Sequence, residues 1–172
     1  MIVLRHTKDI LDLEVQMKTV GDTLPSFELQ DQHGGTVRDA NLRGHWIVLY
    51  CYPKDMTPGC SQEAMGFRDQ QDEFLRLGFR IFGISADSVV SHTRFATRDS
   101  LTFTLLSDPQ HVLLEALGVW KGKKLAGHEF MGTERSTFLI DPEGKIVHEW
   151  RKVKVAGHIA AVLAAAREAH GD

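Results

Sequence analysis

Two cysteines, Cys51 and Cys60, are the residues of this sequence best suited to covalent chemistry. Cys60 lies in residues 52–63, which read YPKDMTPGCSQE. Threonine followed by proline is a strong helix-start signal, because threonine caps free N–H groups and proline fits the first helical position. With Thr57 as the N-cap, Cys60 is the third helical residue. The pattern therefore predicts a sulfur exposed at the positive end of a helix dipole.

This position favours the thiolate form of cysteine, which is the nucleophile. A thiol with a pKa near 8.5 is only about 3% ionised at pH 7, whereas one with a pKa of about 6 is roughly 90% thiolate. A nearby cation would strengthen the effect. Arg135 is the best candidate, because it directly precedes a predicted strand and can lie at a sheet end. Glu63 and Glu134 could orient its guanidinium.

Each candidate residue also has an ordinary structural interpretation. Cysteines are most often small core residues, and this interpretation suits Cys51, which lies inside an apolar run. Thr57 could be only a helix cap, Pro53 only a strand terminator, and Arg135 only a surface ion-pair partner. For Cys60, the position at a helix opening favours a reactive thiol over a core residue.

The segments that must position these residues alternate between strand and helix patterns. Strands are predicted at residues 27–30, 36–38, 46–51, 80–85, 101–107, 136–140 and 145–150. Helices are predicted at residues 58–77, 88–99, 110–117 and 157–168. This order predicts an α/β fold, with a mixed central sheet flanked by helices and an N-terminal hairpin. Chemistry is then expected at the C-terminal ends of the parallel strands.

Composition restricts the class of protein. A chain of 172 residues that is 42% apolar can bury a single core without disulfides. Its net charge of −3, with no cluster of Lys or Arg, argues against a nucleic-acid partner. The sequence has neither the His and Cys spacing of a zinc site nor a glycine-rich nucleotide motif, so no metal or other cofactor is expected.

The N-terminal region resembles neither a secretory signal nor the rest of the chain. Its apolar run ends at Arg5, and no stretch of the chain is long enough to span a membrane. A cytoplasmic protein with no membrane partner is therefore expected. Residues 1–19 are interpreted as an extension, with an alternative start at Met17, and residues 20–170 as one domain.

From about residue 20 to residue 166, the sequence resembles the peroxiredoxins, most closely the peroxiredoxin Q or bacterioferritin comigratory protein branch. The family motif Pro-x-x-x-Thr/Ser-x-x-Cys is matched by Pro53, Thr57 and Cys60, and residues 134–141, ERSTFLID, are also similar to this branch. The resemblance implies a thioredoxin-like fold. It also implies a thiol-dependent peroxidase that acts on hydrogen peroxide and organic hydroperoxides without a cofactor.

The resemblance also implies a role for each matched residue. The Cys60 thiolate would attack a peroxide oxygen, forming a sulfenic acid and releasing water or an alcohol. The Thr57 hydroxyl would hydrogen-bond the sulfur and the peroxide, and Arg135 would hold the thiolate and stabilise charge as the O–O bond breaks. Pro53 would shield the sulfur from water. Backbone N–H groups of the first helical turn would help to position the peroxide.

One departure from the branch concerns the resolving cysteine. In this branch it often lies five positions after the peroxidatic one, where this chain has Met65, and residues 88–99 of the next helix also lack a cysteine. We expect a one-cysteine cycle, in which thioredoxin, glutaredoxin or a small thiol reduces the sulfenic acid. An unusual resolving role for Cys51 stays open. A peroxide sensor or holdase with slow turnover is the alternative function. The branch implies a monomer or weak dimer.

Overall fold

Strands and helices alternate along the computed structural model, which describes residues 17–171. The strands are β1 (Glu28–Asp31), β2 (Thr36–Arg38), β3 (Trp46–Cys51), β4 (Phe79–Ser85), β5 (Thr104–Ser107), β6 (Trp120–Leu125), β7 (His128–Thr133), β8 (Ser136–Ile140) and β9 (Ile146–Trp150). The helices are α1 (Asp39–Leu42), α2 (Pro58–Asp69), α3 (Gln71–Arg76), α4 (Val89–Arg98), α5 (Val112–Ala116) and α6 (His158–His170).

Seven of the described strands form one mixed sheet in the order β2-β1-β5-β4-β3-β8-β9. β3, β4 and β5 are parallel, and β8 pairs antiparallel with β3 on its other side. β1 and β2 form the predicted N-terminal hairpin. The predicted α/β fold with a mixed sheet is therefore confirmed, and the apolar run of β3 is a central strand, as such runs usually are.

The core lies in two layers, one on each face of the sheet. Alternate side chains of a strand point to opposite faces. Tyr50 of β3 packs in one layer with residues of α2, α3, α4 and α6, whereas Cys51 packs in the other layer with residues of α1 and α5. Cys60 belongs to the layer of Tyr50. The two cysteines are thus separated by the sheet itself.

Most predicted elements agree with the structure to within two residues at each end, and two differ by more. The helix predicted at residues 58–77 is two helices, because Gln70 leaves helical geometry and ends α2. This break lets Phe67 and Phe74 both be buried, with ring centroids 6.0 Å apart. The strand predicted at residues 101–107 is shorter, because pairing with β4 begins only at Thr104.

The sequence patterns did not indicate the β6–β7 hairpin or the short helix α1. At least half of the residues in each strand of this hairpin are exposed, and β6 contains three lysines, so the strands lack the apolar alternation that identifies a half-buried strand. Ala126 and Gly127 join the strands in a tight turn, and both have positive φ. The hairpin is important for the site, because Glu134 and Arg135 directly follow it.

The predicted extension lies outside the described residues except for residues 17–19, so its boundary stays a prediction. Lys18 and Thr19 contact the fold: the Lys18 N–H donates to the Ala116 carbonyl (3.0 Å), and the Thr19 hydroxyl donates to Glu149 (2.5 Å). Across residues 17–171, no helix combines the length and hydrophobicity that crossing a membrane requires.

His158, at the start of α6, makes the stability of the fold depend on pH. It is 5% exposed, and its Nε2 lies 2.7 Å from the Thr137 hydroxyl. Burial, followed by the positive charge of Arg135, lowers the pKa of His158 to about 4. The unfolded chain, with a histidine pKa of about 6.5, therefore binds more protons between these values. The stability contributed by the buried, neutral His158 side chain is fully present above about pH 6.5 and is lost as the pH falls toward 4.

We expect His158→Gln to lose less stability than the parent between about pH 7 and pH 4.5, because glutamine does not titrate and can still bond Thr137. The measurement is the free energy of urea unfolding at both pH values. An equal loss in the two proteins would show that other groups cause the acid sensitivity.

Candidate active site

The loop between β3 and α2 brings the predicted cysteine to the C-terminal end of a parallel strand. Thr57 is the N-cap of α2 and Pro58 the first helical residue, so the predicted helix start is confirmed. Cys60 lies in the first turn, as expected. The prediction of an exposed sulfur is wrong: Cys60 is 1% exposed, because the first turn of α2 faces the sheet and packs into the core.

The Thr57 side chain does not form the predicted cap. It makes no capping hydrogen bond, and its hydroxyl donates instead to the Lys54 carbonyl at 2.8 Å. The first-turn N–H groups are therefore left uncapped by this side chain, and its hydroxyl oxygen can still accept a hydrogen bond. Pro53 is half-buried in the same loop. Thr57 thus stabilises the loop that leads into the helix.

Arg135 connects the sheet to the cysteine. It directly precedes β8, and its Nη2 lies 3.5 Å from the Sγ of Cys60. Its Nη1 donates to Oε1 of Glu63 at 2.8 Å. Glu63 lies three positions after Cys60, on the same side of α2. The expected contact with Glu63 is present, whereas Glu134 forms an ion pair with Lys121 (3.3 Å) and does not orient the guanidinium.

Burial controls the charge of this cluster. Burial raises the pKa of Glu63 to about 7, although the Arg135 guanidinium opposes this shift. For Arg135, burial lowers the pKa, but the charges of Glu63 and Cys60 raise it by more, so the guanidinium stays charged. Within residues 17–171, Oε2 of Glu63 has no hydrogen-bond partner. The attraction between Glu63 and Arg135 therefore weakens when the carboxylate takes up a proton.

Gly59 is a site residue that the sequence analysis missed. A Cβ placed on Gly59 would lie 3.3 Å from Nη2 of Arg135, which is tight for a carbon atom. The guanidinium can therefore pack against the first turn of α2 because this position has no side chain. A signal existed in the sequence: glycine is a weaker helix former than alanine, so its presence in the predicted first turn suggests a steric reason.

Cys51 has the environment of a core residue, as predicted. It is the last residue of β3, fully buried, and packed on the face of the sheet opposite Cys60. Burial, together with the negative charge of Glu63, raises the pKa of its thiol far above the ordinary range. A neutral thiol behind the sheet is a poor nucleophile.

Comparison with known sequences gives consistent matches over most of the chain. The family model described as the AhpC/TSA family matches residues 20–149. Peroxiredoxin Bcp of Bacillus subtilis (strain 168) is 51% identical over 144 residues, which cover 84% of this chain and 92% of that protein. Peroxiredoxin Bcp of Escherichia coli (strain K12) is 43% identical over 143 residues, or 83% of this chain and 92% of that protein.

Solved structures agree with these sequence matches. A Xanthomonas campestris peroxiredoxin Q structure is 42% identical, has a TM-score of 0.82, and is matched over 91% of this chain and 98% of its own. A PrxQ mutant from Xylella fastidiosa is 37% identical, with a TM-score of 0.85 and coverage of 91% and 99%. The thioredoxin-like fold is that of the peroxiredoxins, which are thiol peroxidases. The chain belongs to the AhpC/TSA family, in its Bcp or peroxiredoxin Q branch.

The pKa of Glu63 predicts how reactivity depends on pH. As the pH falls through about 7, Glu63 is protonated and holds Arg135 less firmly against Cys60. We expect Glu63→Gln, which is neutral throughout, to react about tenfold more slowly with hydrogen peroxide at pH about 8 and to lack the rate step near pH 7.

The measurement is stopped-flow oxidation of Cys60 between about pH 5.5 and 9. Glu134→Gln is the matched control, because Glu134 pairs with Lys121 and should leave the step in place. If Glu63→Gln kept the same step as the parent, the charge of Glu63 would not be what holds Arg135.

Proposed function

We propose that this chain reduces hydrogen peroxide and organic hydroperoxides, with Cys60 as the residue that attacks the peroxide. The observation that carries the proposal is the distance of 3.5 Å between Sγ of Cys60 and Nη2 of Arg135, in the first turn of a helix. The positive charge and the helix dipole both stabilise negative charge on the sulfur. Glu63, one turn further along the same helix, holds the guanidinium in place through its ion pair with Nη1.

In the reaction, the Cys60 thiolate forms an S–O bond with one peroxide oxygen as the O–O bond breaks. The other oxygen leaves with the electron pair, takes up a proton and departs as water or an alcohol, and Cys60 becomes a sulfenic acid. Arg135 donates hydrogen bonds as negative charge moves from sulfur to oxygen. We assign to the Thr57 hydroxyl the acceptance of the peroxide O–H, because its own hydrogen is donated to Lys54. Pro53 limits access of water from the loop side.

Similarity to a characterised relative supports the substrate class. The Xanthomonas campestris bacterioferritin comigratory protein is 41% identical and has alkyl peroxide reduction activity, with structures of a trapped intermediate and ligand complex. We therefore include organic hydroperoxides among the substrates of this chain.

We further propose that an external thiol reduces the sulfenic acid. Cys51 lies on the opposite face of the sheet, and a disulfide needs Cβ atoms about 3.8 Å apart. Thioredoxin, glutaredoxin or a small thiol of the cytoplasm would then complete the cycle. We also propose a monomer or weak dimer as the working form, as the resemblance to this branch implies.

Substitution of each cysteine tests this assignment. We expect Cys60→Ser to abolish peroxide consumption, because serine is not a sulfur nucleophile, and Cys51→Ser to retain nearly full turnover. The measurement is steady-state consumption of hydrogen peroxide coupled to thioredoxin, thioredoxin reductase and NADPH.

The same assay distinguishes the alternatives. If Cys51→Ser stopped turnover but spared the first oxidation, Cys51 would be the resolving cysteine and the external-thiol proposal would be wrong. A parent protein that undergoes a single oxidation and then forms a mixed disulfide with a partner, without turnover, would instead be a sensor or holdase.

A further inference from the structure

A buried hydrogen-bonded cluster outside the proposed catalytic residues connects α4 to residues 52–57, the loop between β3 and α2. We call this segment the Cys60 loop, because it leads into the helix that carries Cys60. Asp55, in the middle of the loop, is 4% exposed and accepts hydrogen bonds from the hydroxyls of Tyr52 (2.6 Å) and Ser91 (2.8 Å). His92 of α4 is fully buried, with Nδ1 2.7 Å from Oδ2 of Asp55. The carboxylate of the loop is thus bound to two consecutive residues of a neighbouring helix.

Both ring nitrogens of His92 are engaged. Nε2 lies 2.9 Å from the backbone carbonyl oxygen of Leu106, which can only accept, so Nε2 carries a hydrogen. A second hydrogen must lie between Nδ1 and the Asp55 carboxyl oxygen that it contacts, carried by one of these two atoms. Opening the loop would leave these buried polar groups without partners, which is strongly unfavourable.

The backbone of the loop is anchored at the same point and is strained beside it. The Asp55 N–H donates to Oδ2 of Asp87 (2.9 Å), and that oxygen also accepts from Ser85 at the end of β4 (2.6 Å). The next residue, Met56, has φ of 61°, in the left-handed region that costs a non-glycine residue energy. Such a conformation persists only where surrounding contacts hold it.

Asp55, Asp87 and His92 have ligand atoms within 4.8 Å of one another, a spacing that a metal site also requires. Hydroxyl groups already donate to Asp55 and Asp87, and Nδ1 of His92 already contacts Asp55. These hydrogen bonds identify the cluster as a structural connection between the loop and its neighbours.

The burial of Cys60 explains why such a connection would matter. Cys60 is 1% exposed, so a peroxide group of two oxygen atoms needs far less room to reach its sulfur than a thiol reductant does. A thiol reductant must bring its own sulfur to about 2.05 Å in a defined geometry. It displaces the sulfenic oxygen as water and forms a mixed disulfide, and a second thiol then releases the Cys60 thiol and a disulfide of the two reductant sulfurs. A protein thiol therefore needs the loop to move.

We propose that the pair formed by Asp55 and His92 is the latch that sets how often the Cys60 loop opens, and so how fast a protein thiol reduces the sulfenic acid. This inference rests on the proposed function. The latch residues are positioning residues. While the closed loop predominates, the reduction rate follows the small open fraction, whereas oxidation by peroxide uses the closed form. Weakening the latch should therefore accelerate reduction and leave oxidation nearly unchanged.

The direct test is His92→Asn in a Cys51→Ser background, so that Cys60 is the sole thiol. The shorter asparagine cannot bond Asp55 and Leu106 at once, so Asp55 loses the fixed partner that holds the loop. We expect alkylation of reduced Cys60 by a bulky maleimide, and reduction of its sulfenic acid by thioredoxin, each to become about tenfold faster. The rate constant of oxidation by hydrogen peroxide should stay within about twofold of the parent value.

Two further variants keep the test decisive. Ser91→Ala removes one hydrogen bond from Asp55 at a half-buried position, so it should fold even if His92→Asn does not. We expect it to raise both the alkylation and reduction rates about threefold. Gln32→Ala removes two buried hydrogen bonds, to the backbone at Phe103 and Leu105, away from the loop. It controls for general loss of stability and should change neither rate.

The latch would be refuted if His92→Asn slowed oxidation without changing alkylation, because the pair would then only shape the closed site. It would equally be refuted if Gln32→Ala accelerated alkylation as much as the latch variants, since opening would then be global unfolding. Failure of the proposed function has a different signature: parent Cys60 would not be oxidised by peroxide, while the alkylation rates would still report on the latch.

Discussion

A charged, partly buried guanidinium placed against a buried sulfur is the constraint on which the rest of the site depends. Arg135 can lie 3.5 Å from Cys60 only because Glu63 compensates its charge and Gly59 leaves it space. The helix α2 supplies all three of these partners within its first two turns. The β6–β7 hairpin and the start of β8 fix the arginine from the opposite direction.

Burial also divides the proposed catalytic cycle into two steps with opposite needs. Reaction with a peroxide needs a closed, preorganised site, whereas reaction with a protein thiol needs access to the sulfur. In a chain with a nearby resolving cysteine, a thiol of the same molecule would reach the sulfenic acid. Here Met65 occupies the position where this branch often has that cysteine, and Cys51 lies behind the sheet, so the proposed cycle depends on access from outside. Strain at Met56 favours opening of the loop, whereas the contacts of Asp55 hold it closed.

Local signals predicted much of this arrangement, and tertiary packing decided the rest. The Thr57-Pro58 helix start, the apolar β3 and the position of Arg135 before β8 follow from residue type and order, so they were predictable. The burial of Cys60, and the pairing of Glu134 with Lys121 instead of Arg135, depend on how α2 and the hairpin pack. No local pattern encodes this packing. The exposed hairpin itself has no apolar alternation to reveal it.

The connection between the loop and α4 was equally hidden, because a histidine in a helix and an aspartate in a loop are ordinary residues until the fold joins them. The most direct test of the proposed role of Cys60 is to identify the sulfur species formed by one equivalent of peroxide, using a sulfenic-acid trap and peptide mass spectrometry. We expect trapped sulfenic acid on Cys60 and unmodified Cys51. A disulfide between Cys51 and Cys60, or an unmodified Cys60, would contradict it.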